Sequence, residues 1–210
     1  MITLYDCATA PSPRRARILL AEKGIAHATV QVDLRAGEQF GDAYRAVNAQ
    51  CTVPALRLED GSVLCDNAAI AAWAEAAQPE PLLLGRTPLE KAEVASWQWR
   101  VEFEGLLAIA EAFRNTSPAM AGRALPGSRP VPQIPELGAR GLQRVRDFLD
   151  TLDERLGQAP YVSGQAFGLA DITAVVAVDF ARIVKLAPGE PHGHLRRWRA
   201  GMAQRPSMAL

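Results

Sequence analysis

Residues 51–70, CTVPALRLEDGSVLCDNAAI, predict a β-hairpin that is followed directly by a helix. The run 52–58 is a strand candidate with Pro54 near its start, where the missing N–H of proline is tolerated. Asp60-Gly61 is typical of a tight hairpin turn, so residues 63–65 are expected to return antiparallel. A helix is then expected over residues 67–77.

Towards the N-terminus, strand and helix signals alternate. Residues 2–5 and 28–34 are strand candidates, and residues 42–47 are a short helix candidate. Between the first two lies an expected helix that ends at Gly24, with Ser12 as its N-cap and Pro13 in its first turn. The order β-α-β-α-β-β-α predicts a small α/β domain with a mixed sheet over residues 1–77.

Towards the C-terminus the sequence predicts helices only. A linker of about residues 78–86 precedes Thr87-Pro88-Leu89-Glu90, a capping box with proline at the first helical position. Apolar residues follow at helical spacing from 94 to 113, and residues 118–135 form an expected loop. Further helices are expected over 142–156, 167–184 and 193–204, the second of them buried. Residues 87–210 are therefore predicted to form an all-helical domain, so that the chain is α/β plus all-α.

The composition excludes several classes of protein. With 23 basic and 23 acidic residues the net charge is zero, so binding to nucleic acid mainly through phosphates is not expected. Hydrophobic residues make up 49% of the chain, which argues against disorder, but no run is long enough to span a membrane. Cys7, Cys51 and Cys65 are too scattered for a disulfide framework or a metal site. The N-terminus lacks a secretory signal pattern, so a cytoplasmic location is expected.

Four motifs follow one another along the chain: LY at 4–5 with RRARILLAEKG at 14–24, NAQCTVPAL at 48–56, LCDNAAI at 64–70 and FGLADI at 167–172. In this order they resemble the motifs of the cytosolic glutathione S-transferases, which join a thioredoxin-like domain to a helical one. The segments APSP at 10–13 and GRTPLEK at 85–91 are most similar to a fungal and bacterial branch that lacks the usual catalytic Tyr, Ser or Cys. The resemblance implies an N-terminal thioredoxin-like, glutathione-binding domain and a C-terminal helical domain.

The resemblance implies a glutathione site at the start of one strand and at the start of one helix. Val53, before a cis Pro54, would pair its backbone with the extended tripeptide; read without the resemblance, Pro54 is a trans proline that opens a strand. Asp66 and Asn67 would hold the γ-glutamyl end, whereas the residues read without the resemblance favour a plain N-cap. Gln39 and Cys51 match the positions for the glycine end. Because Cys51 offers little to a carboxylate, weaker binding or compensation by Arg14 or Arg15 is expected.

The residue that activates the thiol is left open by the sequence. Ala10 matches the catalytic Ser or Cys of several classes and has no functional group. Ser12 or Thr9, or a water beside them, is expected to donate to the thiolate at the N-terminus of the first helix. The resembling branch uses a water held by Ser and His, and those positions match Ala110 and Arg114 here. Cys7 lacks a second cysteine nearby and is expected to be non-catalytic.

The second substrate is expected at the helical domain, at a site lined by Trp99, Phe103, Ala110 and Arg114. The pair Gly168 and Asp171 is a structural capping motif in which relatives have Ser or Thr before the Asp; the missing side chain is expected to cost only a few tenths of a kcal/mol. No metal site is expected, since His27, His192 and His194 lie far from the motifs.

The resemblance implies a detoxifying transferase in which bound glutathione thiolate attacks an electrophilic small molecule or a disulfide. Glutathione is then a co-substrate, no permanently bound cofactor is expected, and the implied assembly is a homodimer. The alternative is a non-catalytic binding module of the same fold, which Ala10 and Cys51 favour. Neither nucleic acid nor a membrane is an expected partner.

Overall fold

The computed structural model describes residues 1–210, which divide into two compact units. The N-terminal unit comprises Met1–Pro81 with Pro126–Arg129 and Leu210. The C-terminal unit comprises Leu82–Leu125 and Pro130–Ala209. No helix combines the length and the apolar character that crossing a membrane would require.

The N-terminal unit is built on a four-stranded mixed sheet, as the order of elements predicts. Its strands are β1 (Thr3–Asp6), β2 (Ala28–Gln31), β3 (Ala55–Arg57) and β4 (Val63–Cys65), in the spatial order β2-β1-β3-β4. The strand β2 is parallel to β1, while β3 is antiparallel to both β1 and β4. The helices are α1 (Pro11–Glu22), α2 (Asp42–Arg45) and α3 (Asn67–Ala77), and a 3-10 turn spans Glu38–Phe40.

A core of aliphatic side chains joins the sheet of this unit to its helices. The side chains of β1 and β3 that point inward meet those of α1 and α3, and all are withdrawn completely from solvent: Leu4, Leu56, Ile18, Leu20 and Ile70. Burying each contributes roughly 2 kcal/mol to folding. The loops at the ends of β1, β3 and β4 are therefore carried on a rigid frame.

The C-terminal unit is helical, as predicted. Its helices are α4 (Pro88–Arg100), α5 (Leu107–Thr116), α6 (Pro135–Gln158), α7 (Leu169–Phe180) and α8 (Gly193–Met202). The predicted capping box is confirmed, since Thr87 Oγ1 accepts from the N–H of Glu90 and the Glu90 carboxylate accepts from the N–H of Thr87. Helices α5 and α6 pack closely because α6 has a glycine at the contact: a Cβ on Gly141 would lie 2.6 Å from the backbone N of Ala112.

Several predicted boundaries are wrong, for local reasons. The helix α1 begins at Pro11 with Ala10 as its N-cap, so Ser12 lies inside its first turn and is not the cap. The strand β2 ends at Gln31, and the chain turns at Asp33, whose carboxylate accepts from the N–H groups of Arg35 and Ala36. The strand β3 starts only at Ala55, because Pro54 has no N–H to donate to the ladder.

The helical boundaries differ as well. The run predicted as one helix from 94 to 113 contains a π-helical segment, Val101–Leu106, which apolar spacing alone does not reveal. The predicted loop 118–135 includes a 3-10 turn, Pro118–Met120, and the predicted helix 167–184 is α7 followed by a 3-10 turn, Ala181–Val184.

Candidate functional site

The segment before β3 presents an unpaired backbone. The peptide bond between Val53 and Pro54 is cis, and Pro54 is buried. The ladder between β3 and β4 begins at the pair Ala55 and Cys65, and no hydrogen bond of the chain engages the N–H or the C=O of Val53. Val53 therefore has one donor and one acceptor available to an extended peptide.

Asp66 caps α3 in a conformation that few residues adopt. Its φ is +73° and its ψ is 161°, a backbone arrangement that costs a residue with a side chain on the order of 1–3 kcal/mol. Its Oδ1 accepts from the N–H of Ala69 at 2.9 Å, whereas its Oδ2 has no donor within the chain. Asp66 is exposed, so this second oxygen is available to a cationic group.

Asn67, the first residue of α3, contacts the first turn of α1. Its Nδ2 donates to Ser12 Oγ at 3.0 Å, and Arg15 donates a second hydrogen bond to the same oxygen at 3.3 Å. With both lone pairs of Ser12 Oγ occupied, the hydroxyl hydrogen has to point away from Asn67 and Arg15. Ser12 and Asn67, which the sequence analysis named for separate roles, are thus brought into contact next to Asp66, and Ser12 is left as a hydrogen-bond donor.

The loop between β1 and α1 is held by an ion pair that the sequence did not single out. Arg17 pairs with Asp6, whose carboxylate is 1% exposed and also accepts from Gln31 Nε2 at 2.7 Å. The Arg17 guanidinium also donates to the carbonyl of Ala8 at 3.2 Å. The sequence signal for this ion pair was Arg17, an arginine among the apolar residues of α1, on the side of the helix that packs on the sheet. This pair fixes the loop that carries Thr9.

Thr9 itself is exposed on that loop. Its Oγ1 lies 3.6 Å from the sulfur of Cys7, which is buried. The N–H of Ala10 donates to the carbonyl of Cys7 and closes a turn around Thr9. Thr9 therefore stands two residues from α1, without contact to Ser12 or Asn67.

Gln39 and Cys51 are both buried, with 3% and 4% of their surface exposed. The Cys51 thiol donates to the carbonyl of Ala49 at 3.6 Å, and Cys51 has a left-handed φ of +56°. Gln39 Oε1 is buried without a partner. Neither side chain presents a polar group on the surface of the unit, and their contact with a ligand stays a prediction.

The thiol nearest to Asp66 is not an activated one. Cys65 ends β4 and is partly exposed. Burial, together with the negative charge of Asp66, raises the pKa of the Cys65 thiol. A raised pKa leaves less thiolate at neutral pH, so this cysteine is a poor nucleophile.

The side chains expected to line a second-substrate site lie in the C-terminal unit. Trp99 and Phe103 are 59% and 47% exposed and stack with ring centroids 4.9 Å apart and planes at 13°. Ala110 is half-buried in α5. Arg114 donates to the carbonyl of Arg123 at 2.8 Å, and burial and the charge of Arg123 lower its pKa. The guanidinium of Arg114 is thus engaged by the loop that follows α5.

Known proteins resemble this chain along its whole length. Models described as "Glutathione S-transferase, N-terminal domain" and "Glutathione S-transferase, C-terminal domain" match residues 9–77 and 126–206. Glutathione S-transferase 2 of Saccharomyces cerevisiae is 34% identical over 207 residues, which are 98% of this chain and 87% of that protein.

Solved structures resemble it equally well. The crystal structure of Gtt2 from Saccharomyces cerevisiae has a TM-score of 0.89 at 34% identity and covers 99% of this chain and 98% of its own. A glutathione S-transferase domain-containing protein from Marinobacter aquaeolei has a TM-score of 0.88 at 32% identity, with 98% and 99% covered.

Proposed function

The chain belongs to the glutathione S-transferase family, and on this premise we propose how it performs the glutathione transfer. Glutathione binds to the N-terminal unit, where its thiolate attacks an electrophilic carbon or a disulfide of the second substrate. In the first case a C–S bond forms and the leaving group departs with its electron pair; in the second, a mixed disulfide forms and a thiolate is released. The observation that carries the proposal is the junction of Ser12 with Asn67, next to the open carboxylate oxygen of Asp66.

Each contact of the proposed binding site follows from the donors and acceptors that the protein and glutathione offer. The N–H and C=O of Val53 pair with the cysteinyl backbone of glutathione in the manner of a short strand. Asp66 Oδ2 accepts from the γ-glutamyl ammonium, and the first N–H groups of α3 donate to the γ-glutamyl carboxylate. Pro54, Gln39 and Cys51 complete the proposed set, and Arg14 or Arg15 supplies charge near the glycine end.

Ser12 is the proposed activator of the thiol. A free thiol has a pKa of about 8.5, and each unit of lowering needs about 1.4 kcal/mol of preference for the anion. Asn67 and Arg15 both donate to Ser12 Oγ, which strengthens the hydroxyl as a donor and fixes its direction. Thr9, on the exposed loop, is the second candidate.

Substitution of Ser12 tests the activator. Ser12→Ala is expected to reduce turnover of a model electrophile by about 10- to 100-fold, because one preoriented donor to the anion is lost. Its pH–rate profile is expected to shift to higher pH. Thr9→Ala is the matched control and is expected to retain activity. Full activity in Ser12→Ala with a loss in Thr9→Ala would transfer the role to Thr9.

Calorimetry tests the site as a whole. Glutathione is expected to bind the full chain, and a model electrophile or disulfide is expected to turn over. Binding with no turnover on either substrate would leave the non-catalytic module that Ala10 favours. No detectable binding would overturn the assignments of Val53 and Asp66.

The second-substrate site and the homodimeric assembly are proposed because the chain belongs to this family. Trp99 and Phe103 offer an exposed aromatic surface for an apolar electrophile, with Ala110 and Arg114 further along the chain. A homodimer in the cytoplasm is proposed on the same ground. Light scattering on the purified chain that gives a clean monomer would contradict the homodimer.

A further inference from the structure

The segment that leads into Val53 is held from the interior of the N-terminal unit by two side chains. Tyr44, in the short helix α2, and Asn48, which follows that helix, are buried, with 6% and 3% of their surface exposed. Both donate to one atom, the carbonyl oxygen of Thr52: the Tyr44 hydroxyl lies 2.6 Å from it and Asn48 Nδ2 2.8 Å. Because both lone pairs of this oxygen are occupied, the direction of the Thr52 C=O is fixed.

Asn48 also fixes the segment along its length. Its Oδ1 accepts from the N–H of Gln50 at 2.9 Å, and its Nδ2 donates a second hydrogen bond to Thr52 Oγ1 at 3.1 Å. Its backbone C=O accepts from the N–H of Cys51 at 2.9 Å. An amide side chain supplies both the acceptor and the donors that this arrangement needs, whereas a carboxylate would supply acceptors only.

The fixed carbonyl decides where the N–H of Val53 points. Both cis peptide bonds of the chain precede prolines, so the peptide bond between Thr52 and Val53 is trans. In a planar trans peptide the C=O and the N–H point in opposite directions. Because the two buried side chains hold the Thr52 C=O towards the interior, the N–H of Val53 points away from the interior, and no hydrogen bond of the chain uses it.

Tyr44 keeps its proton and is itself fixed to the sheet. Burial raises the pKa of its phenol, so the hydroxyl remains a donor at neutral pH. Its ring packs edge-on against the ring of Tyr5 in β1, with centroids 5.9 Å apart. The position of the hydroxyl is therefore set by the rigid frame of the unit.

We propose that Tyr44, together with Asn48, is a positioning residue of the glutathione site. The two side chains aim the N–H of Val53 at the cysteinyl carbonyl of glutathione before the ligand arrives, so little free energy is lost to ordering the segment on binding. This inference rests on the proposed function, in which Val53 pairs with the cysteinyl backbone. It assigns to Tyr44 an effect on the affinity for glutathione and none on the activation of the thiol.

Substitution of Tyr44 by phenylalanine tests this role. Tyr44→Phe keeps the ring and its contact with Tyr5 and removes only the hydroxyl. The KM for glutathione, and its Kd by calorimetry, are expected to rise about fivefold, because the Thr52 C=O loses one of its two donors. The kcat at saturating glutathione is expected to stay within about twofold of the parent value, since the thiol is activated elsewhere. An unchanged KM, or a fall in kcat without a rise in KM, would overturn the proposal.

Thr116→Val is the matched control. Thr116 Oγ1 donates to the carbonyl of Ala112 at 2.7 Å in the C-terminal unit, so valine removes a hydroxyl-to-carbonyl hydrogen bond of similar length and keeps the shape of the side chain. The KM of this variant for glutathione is expected within about twofold of the parent value. An equal rise of KM in the two variants would overturn the proposal, because the cause would then be a general loss of rigidity.

The amide proton of Val53 gives a direct readout by NMR. At saturating glutathione its signal is expected to move downfield in the parent and in Thr116→Val, and about half as far in Tyr44→Phe, since a misaligned hydrogen bond is weaker. An equal shift in Tyr44→Phe would overturn this inference alone. If glutathione does not bind the parent, or binds without moving this signal, the proposed role of Val53 is overturned, and the inference that rests on it is overturned too.

Discussion

Two aspartates stand at the starts of helices in this chain and are used in opposite ways. Asp66 precedes α3 in the N-terminal unit and is exposed, and one of its carboxylate oxygens accepts a capping hydrogen bond from the helix. Asp171 lies in the first turn of α7 in the C-terminal unit and is completely buried. Its two oxygens accept from the N–H groups of Val162, Ser163 and Gly168 and from Trp198 Nε1.

The difference lies in what each carboxylate leaves unsatisfied. Asp171 has four donors within the chain, so a ligand could add nothing to it. Burial raises its pKa, although the hydrogen bonds oppose that shift. Asp66 keeps an open oxygen and a strained backbone, two features that do not improve folding. The glutathione site proposed above uses the open oxygen of Asp66, and Asp171 has no such oxygen to offer.

The largest expected effect is on folding, from the removal of Asp171. Asp171→Ala leaves four buried donors without an acceptor and is expected to lower the free energy of unfolding by about 4 kcal/mol. Urea denaturation measures it. Asp153→Ala, which removes one hydrogen bond to the N–H of Leu195, is the control and is expected to cost about 1 kcal/mol. Equal losses in the two variants would show that Asp171 does not organise its surroundings.

The next largest effect concerns Gly168, the N-cap of α7, which lies three residues before Asp171. A serine at Gly168 would complete a capping box with Asp171, and on capping grounds alone it should stabilise α7. A Cβ there would lie 2.8 Å from the backbone oxygen of Leu83 and 2.7 Å from Ser163 Oγ. Gly168→Ser is therefore expected to destabilise the protein by about 2 kcal/mol. A stability gain in urea would contradict this. Close packing around Gly168, and not the missing half of the capping box, decides the effect of a side chain at this position.

The third effect separates binding from folding at Asp66. Asp66→Asn keeps a good N-cap, and asparagine has the same shape as aspartate at the same strained φ and ψ, so the unfolding free energy is expected to change by less than about 0.5 kcal/mol. The affinity for glutathione is expected to fall about tenfold, because the charge opposite the γ-glutamyl ammonium is lost. Calorimetry on both proteins checks it. Unchanged affinity would make Asp66 a structural cap like Asp171.

The sequence predicted the frame of the fold well because its signals are local. The turn at Asp60-Gly61, the start of α3 at Asn67 and the capping box at Thr87 each depend on residues within four positions. Since the interactions that form these features involve only neighbouring residues, the structure has them where the sequence predicted them. The π-helical segment 101–106 was missed because no pattern within it differs from an ordinary helix.

The site was less predictable because its key contacts join distant residues. Ser12 looked like an N-cap from its neighbours, yet its hydroxyl contacts Asn67, 55 positions away. Gln39 and Cys51 match the positions for the glycine end of glutathione, and Gln39 was expected to be able to hydrogen-bond there, but the fold buries both side chains. Whether a side chain is open or buried is decided by packing over the whole unit, which spacing along the chain does not encode.

The smallest expected effect reports on the charge of Asp66 through its neighbour. That charge contributes to the raised pKa of Cys65, so Asp66→Asn should lower this pKa and increase the thiolate fraction at pH 8. The rate of reaction of Cys65 with a disulfide reagent is expected to rise about two- to fivefold, as an exposed charge pair implies. Cys7 and Cys51 are buried and should not interfere. Asp60→Asn, in the turn of the same hairpin, is the control and should leave the rate unchanged. An equal rise in Asp60→Asn would mean that the charge of Asp66 is not the specific cause of the faster reaction.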